Sequence, residues 1–399
     1  MVGVEQARAG RGRRLAAGAV IVVVGAGPVG LTAAVVLSRA GVPVTVLERG
    51  PALGTASRAS TFHPATLDLL AGLGVADEFI ARGRKVHDLQ WRSRTGELLT
   101  RMGYDAIADR TAHPFRLHAE QTELTPLLLE HVPDVRWNTE VLDVQQDDRG
   151  VDLITSTGSF RADYVIAADG AHSAVRTTLG LDFPGTEYPT YALRVITTTE
   201  LDRLLPGLSP MTYFRDPVQS CSVLGLPDHW RVILRLPHNA DVSPEALLHK
   251  ALPTLADRID VQDAHTYRTS RRVIGDYRAG RVLFAGDAAH LTSTAGGMNM
   301  NCGIHDAVDL ATTLSFVVNG DHDNALLDEA AQRRRNVVTD HVIPRSEARV
   351  SGVDGQAGSV DAAVRQLAAT ASDPAEAAQY LVQASMLDSV PQLEGSAAP

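Results

Sequence analysis

The 399-residue sequence predicts an α/β protein in which a parallel-sheet domain is interleaved with a mostly antiparallel β-sheet domain and followed by C-terminal helices. Three observations predict it. Residues 19–48 read as strand, glycine turn, helix and strand. Between about 185 and 270 the texture changes to short strands broken by proline and glycine. The segment RVLFAGDAAH (Arg281–His290) then returns to a buried parallel-type strand, with a glycine-rich loop and an apolar helix behind it.

Taken in order, AVIVVV (Ala19–Val24) is a short β-branched run that reads as a strand buried on both faces. Gly25-Ala-Gly27-Pro28-Val29-Gly30 follows, and VGLTAAVVLSRAG continues as a helix with small residues on its first turns, closed by Gly41. VPVTVLE is a second buried strand, which completes a βαβ unit. This is the setting that the dinucleotide fingerprint requires. Gly25 makes the tight turn, Gly27 admits a pyrophosphate, and Gly30 lets the helix pack on the strand. The phosphates would sit on the helix N-terminus beside Pro28 and Val29, where N–H groups and the dipole favour an anion. Glu48 ends the second strand 18 residues past Gly30, with Arg49 next to it, and is placed to hold ribose hydroxyls. A Rossmann-like, nucleotide-binding first domain is therefore expected.

Further along, LQWRSRTGELLTRM reads as two strands around a Thr95–Gly96 turn, and PFRLHAEQTELTPLLLEHV as a strand or loop leading into a helix. Residues 135–168 read as a β-meander. TYALRVITTTEL, MTYFRDP, SCSVLGLP and HWRVILRLP are strands, followed by a helix around Pro244 to Arg258. DPAEAAQYLVQASMLDS reads as a terminal helix. The expected boundaries are a disordered basic tail at 1–18, a nucleotide-binding domain in two parts at 19–184 and 271–350, a substrate domain at 185–270, and a helical segment at 351–399.

Composition excludes several functions. A formal charge of −10 argues against a nucleic-acid partner, since phosphate binding needs a basic surface. Lysine occurs only at Lys85 and Lys250, which makes a Schiff-base lysine improbable. Cys221 and Cys302 form no disulfide framework or CxxC motif, so both are expected as small buried hydrophobes in a cytoplasmic protein with no metal site. The uncharged run Leu15–Leu37 imitates a signal peptide or membrane span, but Gly18, Gly25, Gly27, Pro28 and Gly30 interrupt it, and the fingerprint explains the spacing better. No membrane partner is expected.

Two more segments narrow the cofactor. YVIAADGAHSAVR puts Asp169, Gly170, Ser173 and Arg176 at a strand end, where Asp169 or Ser173 can also serve as a helix N-cap. GDAAHLTSTAGGMNMN puts Gly286 and Asp287 at another, before a loop almost free of bulky side chains. These three segments, in this order, resemble the FAD-dependent aromatic hydroxylases, the single-component flavoprotein monooxygenases of the para-hydroxybenzoate hydroxylase type, over roughly residues 19–345.

The resemblance implies that the first motif binds the ADP half of FAD. It further implies that Asp169 and Gly170 lie near the pyrophosphate and serve both FAD and NADH or NADPH, and that Asp287 hydrogen-bonds the ribityl chain. Arg58 in SRAST and Gln121 in AEQTEL match an arginine and a glutamine that contact FAD. Gly297, Met298, Asn299, Met300 and Asn301 would cradle the isoalloxazine ring, with the helix N-terminus aimed at its pyrimidine edge, where negative charge develops on reduction.

Two positions depart from the family pattern. Thr294 stands where proline is usual, and Asn299 where glycine is common. Asparagine tolerates φ > 0, so the change at 299 is expected to be a backbone matter.

The implied reaction uses NAD(P)H and O2 to hydroxylate a small aromatic substrate, phenolic or heteroaromatic and including secondary metabolites, through a flavin C4a-hydroperoxide. The sheet of 185–235 would roof the ring, with Arg194, Tyr213, Arg215 and Ser222 as substrate-site candidates because alternate strand residues face one side; Thr294 joins them because the resemblance implies that a backbone carbonyl of its turn lies near the substrate. His290 beside the GD turn is expected to be structural, and Arg333-Arg334-Arg335 a solvated face. A monomer or homodimer is expected. The alternatives are a non-catalytic flavin or nucleotide sensor and a flavoprotein dehydrogenase; a flavin halogenase would need a tryptophan-rich signature that is absent.

Overall fold

The buried strand Ile21–Val24 lies at the heart of a six-stranded sheet. A computed structural model describes residues 19–56, 59–237, 243–320, 322–351 and 357–390. The expected tail at 1–18 and Arg58 lie outside the described residues. In spatial order the sheet runs Arg278–Ala279, Val282–Phe284, Tyr164–Ala167, Ile21–Val24, Val44–Leu47, Val135–Arg136. Four of its five pairings are parallel; the edge hairpin 278–284 is antiparallel. Ile21–Val24, Val44–Leu47 and Tyr164–Ala167 are buried on both faces apart from the half-buried Thr45, as their largely apolar runs require.

Helix Pro28–Arg39 covers the sheet through Leu31, Val35 and Leu37, and stops where Gly41 turns left-handed at φ +72°. Residues 135–168 split differently from the expected meander. Only 141–162 form a three-stranded antiparallel sheet, while Val135–Arg136 and Tyr164–Ala167 join the parallel one. Both flanking runs are short and lack alternation, so periodicity could not separate them from the meander.

The second large sheet has eight strands in the order His290–Leu291, Val261–Val273, Gly185–Thr197, Trp230–Pro237, Cys221–Gly225, Met211–Phe214, Asp88–Arg92, Leu98–Gly103. It is antiparallel except where Asp88–Arg92 runs parallel to Met211–Phe214. One face carries Leu193, Val195, Val223, Val232 and Leu234, buried against helix Pro244–Ala251. Beside it, Trp91, Met102, Tyr104 and Tyr213 pack on Leu381 of the terminal helix Pro374–Ala384, whose N-terminus Asp373 caps. Both cysteines are buried. Among the described residues, no helix is long and apolar enough to cross a membrane.

Candidate active site

Four loops converge at the C-terminal ends of the parallel strands. A Cβ on Gly25 (φ +106°) would sit 2.4 Å from the Ala168 carbonyl oxygen, and one on Gly30 would sit 1.9 Å from that of Gly25. Both positions are therefore closed by the fold itself. Gly27 differs: a Cβ there would meet nothing within 4 Å, so the missing side chain leaves open space over the helix N-terminus. That helix has no side-chain cap and no acidic residue in its first turn, which leaves its N–H groups available to an anion. The Glu48 carboxylate accepts the Ala26 and Gly50 N–H groups, both at 2.8 Å, which fixes it beside the glycine turn. Arg49 is exposed.

Asp169 follows the strand that pairs with Ile21–Val24. Its Oδ2 accepts the Val175 N–H at 3.1 Å, while Oδ1 is buried with no hydrogen-bond partner. Burial raises its pKa. Gly170 is left-handed at φ +84°. Ser173 caps the next helix by accepting the Arg176 N–H at 3.0 Å. Arg176 then donates to the carbonyls of Ala171 and Ala288, both at 2.9 Å, and so ties the DG loop to the GD turn.

The glycine-rich loop ends in helix Met298–Val318, capped by Gly297 at φ +66° with no side-chain cap and no acid in the first turn. Met298 is buried, Met300 half-buried, and Thr294 exposed, its carbonyl accepting the Gly297 N–H at 3.2 Å. The Asn301 amide is spent inside the protein, on the carbonyls of Thr61 and Gly297 and the His63 N–H. Gln121 opens its helix as expected, its N–H donating to the Ala59 carbonyl at 3.1 Å.

Asn299 requires a correction. It lies in the first turn of the helix, and among the described residues the positive-φ residues other than glycine are Asn138 and Met386, so no left-handed backbone state explains it. Its side chain does. The amide nitrogen donates to Asp287 at 2.7 Å, and its oxygen lies 3.2 Å from His290 Nδ1. His290 Nε2 lies 2.9 Å from Asp306, whose other oxygen accepts from Arg334 at 2.8 Å. Both His290 ring nitrogens thus face acceptors and both must donate, so the ring is the imidazolium. Burial disfavours that charge, but Cys302 and Asp306 raise the His290 pKa well above its usual value. His290, Cys302 and Asp306 are close enough to resemble a metal trio, but Asp306 and Cys302 both accept from the Arg334 guanidinium. Arg334 is itself fully buried, against the expectation of a solvated face. The triple-arginine run gave no sign of this, because only the middle residue turns inward.

The sheet candidates lie together. Register sets Arg194, Ile233, Ser222, Tyr213 and Trp91 in one row across four pairings, and directly paired residues share a face. Arg231 and Arg235 flank Ile233 on that face, while the opposite face is the apolar core. Arg215 places its guanidinium 4.9 Å over the Tyr213 ring, which stacks on Trp91 at 5.6 Å. Arg194 pairs with Asp263 at 3.3 Å, and Arg231 with Glu120.

Sequence reasoning missed four neighbours. Tyr104 and Arg116 are fully buried, the half-buried Arg349 abuts Gly296, and His63 reaches the carbonyls of Gly296 and Gly297 at 3.0 and 3.1 Å. Burial pushes the Tyr104 hydroxyl up to about 12. Burial opposes ionisation of Tyr213 too, but Arg116, Arg349 and Arg215 outweigh it and lower its pKa. No spacing in the sequence links these residues; only the fold joins them.

Residues 18–343 match the family described as FAD binding domain. The chain is 32% identical over 351 residues to para-nitrophenol 4-monooxygenase of Pseudomonas sp. (strain WBC-3), spanning 82% of this chain and 85% of that protein. It is 32% identical over 335 residues to 6-methylpretetramide 4-monooxygenase of Streptomyces rimosus, spanning 79% and 58%. Among solved structures, p-nitrophenol 4-monooxygenase from Pseudomonas putida DLL-E4 superposes with a TM-score of 0.85 at 29% identity, covering 93% of this chain and 98% of that one. A ternary complex of aklavinone-11 hydroxylase with FAD and aklavinone gives 0.72 at 29% identity, covering 84% and 69%.

Proposed function

The chain belongs to the FAD binding domain family and is an FAD-dependent aromatic hydroxylase, and from that premise we propose that it uses NADH or NADPH and O2 to hydroxylate a phenol. The similar para-nitrophenol and 6-methylpretetramide monooxygenases support a phenolic substrate. The observation that carries the reading is the meeting of the glycine loop with the tyrosine–arginine cluster, through His63 on Gly296 and Gly297 and Arg349 against Gly296.

The residues present fit FAD. Two helices begin without side-chain caps or acids, Gly27 leaves open space, and Asp169 Oδ1 is a buried acceptor without a donor. Gly25, Gly27, Pro28, Val29 and Gly30 would take the pyrophosphate, Glu48 the ribose and Asp287 the ribityl chain. Gly297 to Asn301 would lie against the ring, with the helix N-terminus stabilising negative charge there. When bound, FAD would supply the redox chemistry that accepts electrons from NAD(P)H and activates O2 for transfer of one oxygen atom to the ring.

The protein would orient the substrate ring and exclude water between sheet and loop. A phenol becomes a strong enough nucleophile when its proton is withdrawn. Tyr213, made more acidic by three arginines, is placed to share that proton. Arg194 and Ser222 would line the same face farther along the row.

The test is a panel of phenols scored for NAD(P)H consumption and hydroxylated product by the FAD-loaded protein. At least one phenol should speed NAD(P)H oxidation about tenfold or more and yield product. Oxidation that no phenol stimulates would favour the sensor or dehydrogenase alternative instead.

A further inference from the structure

One buried carboxylate holds the GD turn from beneath. Asp306 on helix Met298–Val318 is fully buried, and its Oδ2 accepts the Gly286 N–H at 3.2 Å and lies 2.9 Å from His290 Nε2. Its Oδ1 accepts from Arg334 at 2.8 Å. At the other edge of the His290 ring stands the Asn299 amide, whose two ends meet opposite demands. A carboxylate can only accept, so the amide nitrogen must point to Asp287, at 2.7 Å. The amide oxygen is then left for His290 Nδ1, 3.2 Å away, and for the Thr292 hydroxyl, which donates to it at 3.3 Å. This orientation needs a proton on Nδ1. A neutral histidine would keep its single ring proton on Nε2 for Asp306 and set a lone pair against the amide oxygen. Turning the amide over would relieve that clash but put its oxygen against the Asp287 carboxylate.

We propose that the second ring proton of His290 locks the Asn299 amide onto Asp287, which makes His290 a positioning residue for the FAD contact assigned to Asp287. The inference rests on the FAD-dependent hydroxylase reading and adds how the cofactor-holding aspartate is aimed. Groups of both signs surround the ring. Asp306 and Cys302 face it from helix Met298–Val318, and Arg334 stands behind Asp306. Tyr277 stacks on the ring at 6.1 Å with the planes 6° apart, and Asp287 lies across the Asn299 amide. Burial works against the charge, but Cys302 and Asp306 outweigh it and raise the His290 pKa well above its ordinary value. Glycine, common in the family at position 299, has no amide and makes no demand on Nδ1. The extra proton therefore serves the residue by which this chain departs from the family pattern.

The test compares two histidine replacements by fluorescence titration of the apoproteins with FAD. The side-chain nitrogen of asparagine falls where Nδ1 stood, and that of glutamine where Nε2 stood. His290→Asn keeps the donor to Asn299, and FAD affinity should stay within about threefold of wild type. His290→Gln keeps only the donor to Asp306, and affinity should fall about fivefold or more. A role confined to pairing with Asp306 reverses that order, so the reverse order, or equal affinities in the two variants, would overturn the proposal. Added to Asn299→Gly, His290→Gln should bring no further loss beyond about twofold, because the amide it would orient is gone. A fully additive loss would overturn the proposal as well. Should the histidine variants not fold, 15N NMR of histidine-labelled wild-type apoprotein at about pH 8 decides the matter. His290 is expected with both ring nitrogens protonated, and a neutral ring would overturn the proposal. Wild-type protein that binds no FAD would sink the hydroxylase reading itself, and the positioning role with it.

Discussion

Asn299 shows how one side chain can replace a backbone rule. A glycine-like position in the loop pattern invites a φ > 0 explanation, yet the residue is helical and acts through its amide, joining Asp287 to the His290–Asp306–Arg334 chain. Deleting the amide leaves Asp287 without this donor and His290 Nδ1 without its nearest acceptor. Asn299→Gly is therefore predicted to weaken FAD binding about fivefold to twentyfold, since a hydrogen bond to a charged group contributes roughly 1.5–3 kcal/mol before solvent replaces part of it. Fluorescence titration of the apoprotein with FAD measures it, and affinity unchanged within twofold would show that the chain does not position Asp287. At this scale the sequence was readable for Ser173, whose place at a strand end before a helix marks the N-cap that the structure shows. It was not readable for Arg116, Tyr104 or Arg334, whose partners lie far away in sequence and whose local patterns look like ordinary polar positions.

Elements were legible where their period is local. The glycine turn announced the first βαβ unit, and alternation in SCSVLGLP and HWRVILRLP announced two-faced strands whose apolar sides now face helix Pro244–Ala251. The hairpin within 88–103 was equally legible, but its place in the eight-stranded sheet was not. Its strand Asp88–Arg92 runs parallel to Met211–Phe214, more than a hundred residues on, and no periodicity encodes a partner. The glycine turn also allows a sharp separation of fold from binding. Gly30→Ala would push a Cβ to 1.9 Å from the Gly25 carbonyl oxygen, whereas Gly27→Ala meets nothing within 4 Å. The apoprotein melting temperature should thus fall by several degrees, about 4 °C or more, for Gly30→Ala. It should stay within about 2 °C for Gly27→Ala, with FAD affinity down about tenfold or more. Thermal melts of both apoproteins beside their FAD titrations decide it; equal melting losses would mean that Gly27 too serves the fold.

In the whole molecule, the two sheets divide the labour. The parallel sheet gathers the glycine turn, the DG loop, the GD turn and the uncapped start of helix Met298–Val318 at one end. The eight-stranded sheet turns its apolar face to its own helix and presents tyrosine, tryptophan and arginine on the other. The terminal helix closes the Trp91–Tyr213 cluster through Tyr380 and Leu381. This arrangement has chemical sense when an electron-rich ring is held between the loop and the sheet. The direct measurement is turnover of an accepted phenol with NAD(P)H under 18O2, followed by mass spectrometry of the product. The account predicts a product heavier by one oxygen-18 atom on the ring. Unlabelled product, or NAD(P)H consumption that ends entirely as hydrogen peroxide with every phenol offered, would contradict it.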